Sequence, residues 1–478
     1  MTQTGQNSSS PVESAVARLR EATRTTPYEG RLYLVGGILR DRAMGLPLSG
    51  DVDLVVEGDA VELARFLYER GLSRHYPVLY PRFGTAMLTL DSDGSECAVE
   101  LVTARSERYH ADSRKPDVTP GTIRDDILRR DFTINTLLEN VHSEEVLDIT
   151  GRALSDLSAR VLRTPVEPRI TFFDDPLRML RAVRFAARFG FEIEAGTWEA
   201  MRSETERLRP PAIAWERIRE ELVKIARLPG ARFRRGMELL LASGLLAECL
   251  PEMLPMVGCT QGAWHRADVW THTLEALEAL PDEGRAELRL GLLWHDIGKP
   301  KTRVETNDAK GVRFTGHAAA GAEIVAEMMG RLKFSNDEIR DVTALATLHM
   351  RLGEYRPEWT DASVKRLIRD CGPYLDDLFV LTRCDQSAID LPLEYRGLLV
   401  QLRERIDHLN ALSNVLNISS PLDGMAIMNV LGVSPGPIVR EAKVFLTNEV
   451  IDGRLAEGDQ KAARECLLRW REDRRSPV

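Results

Sequence analysis

Residues 34–58 read LVGGILRDRAMGLPLSGDVDLVVEG. The apolar run ending at Val35 closes on Gly36 and Gly37 and gives way to a helical pattern. A buried strand, a tight turn and a helix follow from that order, with backbone N–H groups at the turn able to approach a phosphate closely. Fourteen residues after Gly37 comes Asp51-Val52-Asp53, the start of a second strand, DVDLVVEG. Side chains alternate along a strand, so both carboxylates project from one face while Val52 enters the core. Adjacent carboxylates repel unless a cation lies between them, and hard oxygen ligands suit Mg²⁺ carrying substrate phosphates. A glycine pair or a DxD alone more often marks only a turn or a solvated strand edge. Their order on strand, turn, helix and strand is what points to a small mixed α/β domain.

Working outward, VELARFLYERG (61–71) is an amphipathic helix, and TAMLTL (85–90) and CAVELVT (97–103) are strands. Glu100 on the latter is placed to add a third carboxylate to a two-metal site. IRDDILRRDFTINTLL (123–138) is helical in pattern and carries Arg129, Arg130, Asp131 and Asn135. Arg130 offers a planar fork for triphosphate oxygens and Asn135 a neutral hydrogen-bonding group. After about Ala153 strand signals stop, and long amphipathic helices take over. The fold class expected is α+β, a small mixed-sheet head followed by all-α segments.

Composition bounds the rest. The chain has 478 residues, enough for about three domains. Its net charge of −9 excludes a bulk-basic nucleic-acid binder, so RNA would need a local basic face. Six scattered cysteines without a CxxC spacing indicate neither a disulfide framework nor a thiolate zinc site. The polar start, MTQTGQNSSSP, lacks the apolar core of a signal peptide, and no apolar run approaches the ~18–20 residues of a membrane span. A cytoplasmic location, with no membrane partner and no DNA, is the expectation.

FFDDPLRMLRAVRFAARF spaces Asp175, Arg178, Arg181 and Arg184 three residues apart, a slowly drifting stripe on one helix face. Such a stripe is either solvated or it reads a base. C and A both present an exocyclic amino donor beside a ring-nitrogen acceptor. A carboxylate accepts from the amino group and a guanidinium donates to the nitrogen. G and U present the opposite order and would leave the pair mismatched and desolvated. Asp175 with Arg178 is therefore suited to selecting CTP and ATP.

The ordered set GG-x-x-RD, DxD and RRDFTIN closely resembles the class II tRNA nucleotidyltransferase and bacterial poly(A) polymerase family, over roughly residues 30–255. The resemblance implies a polymerase-β-like head. It places catalytic Mg²⁺ on Asp51 and Asp53, and nucleotide contacts on Gly37, Arg40 and Arg130. The helix stripe is similar to the family's EDxxR recognition motif, with Asp174 standing where Glu is usual; by that match Arg181 and Arg184 touch the nucleotide. Thr136 stands where the family usually has Ala. RLRPPAIAWERIREELVKI resembles the neck motif around Glu216, Arg217 and Glu221, a structural helix behind the site. Arg227, Arg232, Arg234 and Arg235 are either tRNA phosphate contacts or solvated surface.

The implied activity is template-independent addition of CCA to tRNA 3′ ends from CTP and ATP. A-only addition in a split pair and poly(A) polymerase are the alternatives. CC-only addition falls behind, because SERYHADSRKPDVTPGT (106–122) has the length of the flexible loop that CC-only members tend to lack.

Six of nine histidines fall after residue 260. Through predicted helices run His272, the contiguous His295-Asp296, His317, His349 and Asp385. Each alone is more often a core or surface group, but five positions in this order suit a transition metal. The order H…HD…H…H…D resembles the HD-type metal-dependent phosphohydrolase family over roughly 265–390, and implies a divalent transition metal and phosphoester hydrolysis. Lys299 in HDIGKP is placed to bind a phosphate. A hydrolase with a non-catalytic nucleotide-binding head is the different-class alternative. The division expected is a tail and lead-in helix (1–28), a nucleotidyltransferase head (29–150), a helical neck and RNA-binding region (151–260), an HD domain (261–390) and C-terminal helices (391–478).

Overall fold

The computed structural model describes residues 10–48, 51–92, 95–110, 113–262, 265–307, 311–412 and 418–474; of the tail expected over 1–10, residues 1–9 lie outside them. The chain divides into two compact units, Met1–Leu228 with Arg232–Pro251, and Pro229–Ala231 with Glu252–Val478.

The first unit opens with α1 (Pro11–Thr23), started by a capping box. The Ser10 hydroxyl accepts the Glu13 N–H while the Glu13 carboxylate accepts the Ser10 N–H. Then follow β1 (Leu32–Val35), α2 (Gly37–Ala43), β2 (Val52–Val56), α3 (Ala60–Glu69), β3 (Val78–Tyr80), β4 (Thr85–Ser92), β5 (Ser95–Thr103), β6 (Arg105–His110), β7 (Ser113–Pro120), α4 (Ile123–Leu128), β8 (Leu137–Asn140) and β9 (Val146–Asp148). Seven strands form one sheet in the order β3-β4-β5-β2-β1-β8-β9, with β2 and β5 parallel. Leu34, Leu54, Leu101 and Ala86 make a fully buried cross-strand row on the face covered by α1 and α3. Each such leucine contributes roughly 1.5–3 kcal/mol of burial. On the other face Val35, Val55 and Leu138 pack with Ile123 and Ile127 of α4.

Three expectations are corrected. The helix read over 123–138 stops at Leu128. Asp131 Oδ1 accepts the Phe132 N–H and the Asn135 side-chain amide, and Leu137–Asn140 pairs with β1. Burial in the sheet outweighs the local helical pattern. Strand pairing also recurs after Ala153, in Val161–Leu162 beside Glu192–Ile193 and in Val304–Glu305 beside Val312–Arg313. The segment read as a loop before α4 carries the paired strands β6 and β7; residues 111–112 within it lie outside the described residues.

The unit continues with α5 (Ala153–Ala159), α6 (Pro168–Asp174), α7 (Leu177–Phe189), α8 (Ala195–Ser203) and α9 (Trp215–Ala226). In the second unit, helices Val269–Glu278, Ala286–Trp294, His317–Arg331, Asn336–Leu348 and Leu375–Ser387 carry the histidine block. Helices Gly424–Leu431, Pro437–Ile451 and Gln460–Asp473 close a small core of their own around Ile427, Leu431, Leu446 and Leu467. Among the described residues, no helix is long and apolar enough to cross a membrane.

Candidate active site

Gly36 caps α2 with φ +74°, a conformation that suits only glycine without strain. A Cβ there would meet Arg130 Nη1 at 3.6 Å and Asp53 Oδ2 at 3.7 Å, so the turn brings a guanidinium and a carboxylate together. Asp53 pairs across the strands with Glu100, while Asp51 is exposed just before β2. Burial, the Glu100 charge and more weakly Asp51 push the Asp53 carboxyl up to about 6, against the pull of Arg130. This uncompensated negative charge on hard oxygens fits a divalent cation such as Mg²⁺. The three carboxylates do not close to the spacing of a preformed cluster; among the described residues such groups lie in the second unit.

A cleft of about 340 Å³ adjoins this point, and Gly37, Arg40, Asp53, Arg130, Asn135, Asp175, Arg178 and Arg181 all line it. Their guanidiniums are held from behind. Arg130 pairs with buried Asp126 at 3.1 Å. Arg178 donates to the carbonyls of Thr171 (3.2 Å) and Arg129 (2.6 Å). Arg181 grips Asp131 Oδ2 with two N–H groups, 2.9 and 2.6 Å. Burial alone would raise the Asp131 carboxyl, yet Arg181 and the Asn135 amide hold it well below the usual range. Asn135 accepts in turn from Arg40, which also pairs with Asp41 and lies over the Phe189 ring at 4.7 Å.

The stripe expected on one helix face is corrected. Helix α7 begins at Leu177, so Asp175 sits before it and accepts the Leu177 N–H at 3.2 Å. Arg178 and Arg184 are buried rather than solvated. Arg184 does not line the cleft; its Nε donates to buried Glu221 at 2.6 Å, behind the site. Asp51 and Glu100 do not line it either. Arg217, read from sequence only as part of a structural helix, does. It pairs with Asp175 Oδ2 at 2.9 Å.

In the second unit the histidines converge on Asp296. His272 and His295 approach its Oδ2 at 3.7 and 3.2 Å, and His317 and His349 approach its Oδ1 at 3.5 and 3.7 Å. Asp385 Oδ1 lies 2.9 Å from His272 and 3.4 Å from His295. Two ligand groups result, His272-His295-Asp296-Asp385 and Asp296-His317-His349, sharing Asp296. In His295, His317 and His349, Nδ1 bonds the carbonyl three residues back (Leu292, Phe314, Ala346) at 2.7–2.8 Å, leaving Nε2 toward the carboxylates. Gly298 makes the convergence possible, since a Cβ there would lie 2.1 Å from the His317 carbonyl oxygen. Burial opposes charge on His295, but Asp296 and Asp385 hold its pKa at about 10; burial and neighbouring His295 push His349 down to about 4. His295 Nε2 is buried without a well-formed hydrogen bond, so the donor set fits a metal ion. Lys299, expected to bind a phosphate, lines the cavity beside the histidines, its ammonium 2.6 Å from Asp296 and donating also to Gln261.

Residues 32–163 match the Poly A polymerase head domain, 190–256 the probable RNA- and SrmB-binding site of polymerase A, and 265–385 the HD domain. The A-adding tRNA nucleotidyltransferase of Deinococcus radiodurans is 34% identical over 365 residues, covering 74% of this chain and 81% of that protein. The chain belongs to the tRNA nucleotidyltransferase family. The CC-adding tRNA nucleotidyltransferase of Thermus thermophilus is 36% identical over 371 residues, 75% of this chain and 80% of that one. In fold, the chain is like the Bacillus stearothermophilus CCA-adding enzyme crystallised with CTP, with a TM-score of 0.66 at 21% identity over 98% of this chain and 99% of that one. As a tRNA nucleotidyltransferase the protein is an enzyme, and its head and HD domains imply dependence on divalent metal.

Proposed function

We propose that the protein adds CCA to tRNA 3′ ends from CTP and ATP, by in-line attack of the RNA 3′-hydroxyl on the nucleotide α-phosphate with pyrophosphate leaving. The observation that carries this reading is one cleft with Asp53 and Arg130 at the Gly36 turn and Asp175 with Arg178 in its wall. Asp51, Asp53 and Glu100 would hold Mg²⁺, which supplies charge neutralisation on the phosphates and the departing pyrophosphate. Arg130 and Arg181 donate to the triphosphate, near the backbone turn at Gly37. Asp175 accepts from the exocyclic amino group of C or A. Arg178, with two of its five N–H donors fixed on carbonyls, donates to the ring nitrogen. Arg40 and Asn135, fixed by each other and by Asp41 and Asp131, line the same cleft and contact the nucleotide from there.

A-only addition is the main rival; relatives that add A and relatives that add CC are about equally similar, so similarity does not choose between them. The β6–β7 segment favours a member able to add A. Incubation with CTP and ATP and three tRNAs, ending before, within and after CC, separates the readings by the products that extend.

A second reading stands on the six ligands around Asp296: the HD domain hydrolyses phosphoesters as an additional activity. His272, His295, His317, His349, Asp296 and Asp385 would hold a transition metal, which supplies Lewis acidity toward the phosphoryl group. Hydrolysis of bis(p-nitrophenyl) phosphate with added Ni²⁺, Mn²⁺ or Zn²⁺ tests it. The five-segment division of the chain remains our proposal for how these functions are apportioned.

A further inference from the structure

Strands β2, β5, β4 and β3 carry one continuous cross-strand row on the face that bears the carboxylates. Asp53 pairs with Glu100, Glu100 with Met87, and Met87 with Val78. Tyr80 belongs to the neighbouring row on the same face, opposite Thr85. Helix α4 packs on this face near β1 and β8, through Ile123 and Ile127. Over β4 and β3 the face lies open: Met87 is 40% exposed, Val78 53% and Tyr80 45%, with Phe83 at 39% in the turn between the strands. Fraying does not explain this, because Ala86 and Leu88, alternate residues of the same strand, are buried on the opposite face. A contiguous exposed apolar strip of this kind marks a contact surface.

We propose that this strip is the docking surface for the 3′-terminal nucleotides of the acceptor RNA, whose bases and sugars pack on Met87, Val78 and Tyr80 while the terminal hydroxyl reaches the carboxylate end of the row. The inference rests on the nucleotidyltransferase reading above. Continuity selects this occupant: Val78 and Met87 share one row with Glu100 and Asp53, spanning three strand spacings or roughly 14 Å, with Tyr80 in the row beside it. Stacking on apolar and aromatic side chains tolerates any base, as an enzyme acting on many RNAs with different sequences before the added end requires.

The test uses the full chain with Tyr80→Ala and Met87→Ser together. Both side chains are exposed, and thermal melting checks that the fold is kept. Leu393→Ser, at 79% exposure in the second unit, is the control. We expect KM for tRNA lacking CCA to rise roughly tenfold or more in the double variant while KM for CTP stays within about twofold, the loss that removal of stacking partners predicts. A tRNA ending in 4-thiouridine should crosslink to the wild-type segment 76–90, with no nucleotide present. An unchanged tRNA KM in an active, folded double variant overturns the strip as a docking surface. So does a concentration-dependent dimer that the substitutions abolish, which would assign edge strand β3 to a second copy. If the wild type extends no tRNA, the parent reading fails, and the crosslink alone still decides whether RNA lies on the strip.

Discussion

Asp53 and Glu100 stand directly opposite each other on β2 and β5, the parallel pair of an otherwise antiparallel seven-stranded sheet among the described residues. The α3 crossover joins β2 to the part of the chain that builds β3, β4 and β5, and so sets two carboxylates from distant sequence side by side. Their repulsion has consequences for both activity and stability.

Asp53→Asn should lower nucleotide addition by several kcal/mol of barrier, roughly 10³-fold, because it removes a metal ligand. The same change should stabilise the metal-free protein, since a neutral amide ends the cost of burying a charge and the repulsion from Glu100, which together push the Asp53 carboxyl up to about 6. The gain at neutral pH is on the order of 1–3 kcal/mol. Melting in the presence of a chelator, beside a primer-extension assay, reads both. A variant with normal addition and an unchanged melting temperature would remove Asp53 from the site.

Asp175→Ala should blur rejection of UTP and GTP by about 1–3 kcal/mol, the worth of a good bidentate base contact, with a smaller effect on triphosphate affinity. Arg217 pairs with Asp175 from the exposed side, so Arg217→Ala should weaken the same discrimination to a lesser degree. Competition between labelled CTP and unlabelled UTP measures it. Unaltered rejection of UTP and GTP in Asp175→Ala would leave Asp175 a helix-start residue and nothing more.

Glu221→Ala should cost about 3–5 kcal/mol in urea unfolding, because it strands the buried Arg184 guanidinium. Pairing it with Arg184→Leu should recover most of that loss. The folded double variant should bind CTP as the wild type does, since Arg184 lies outside the cleft. A large rise in the CTP KM there would instead place Arg184 on the nucleotide.

Much of this site is legible in the linear sequence, because strand alternation is a strict rule. Asp53 turned away from the buried Val52 and Leu54 follows from a period of two, whereas Asp51 lies just before the strand, beyond the reach of that rule. The arginines are less legible, for a guanidinium that binds phosphate and one that neutralises a buried carboxylate look alike in sequence. Arg130 and Arg184 each pair with a buried carboxylate, Asp126 and Glu221, but only Arg130 lines the cleft, and Glu221 lies 37 positions from Arg184. The Arg217–Asp175 pair spans 42 positions and has no local signal. The end of α4 at Leu128 was hidden for a similar reason: what stops the helix is the pairing of β8 with β1.

The residues around Asp296 allow the two proposed activities to be separated. Asp296 gives one oxygen to His272 and His295 and the other to His317 and His349, so a change at this residue disturbs both ligand groups at once. Alanine at 296 would strand Lys299, whose ammonium lies 2.6 Å from the carboxylate; Asn keeps a hydrogen-bond acceptor there. His295→Ala with Asp296→Asn should therefore keep the fold and lose bound transition metal, together with any phosphodiesterase activity. Nucleotide addition should persist, because Asp51, Asp53 and Glu100 belong to the other compact unit. Metal analysis of purified wild type and double variant, alongside tRNA extension by both, settles the matter. Equal metal in the two proteins would show that these residues are not the ligands, and loss of addition in a folded variant would tie the HD residues to the transferase reaction.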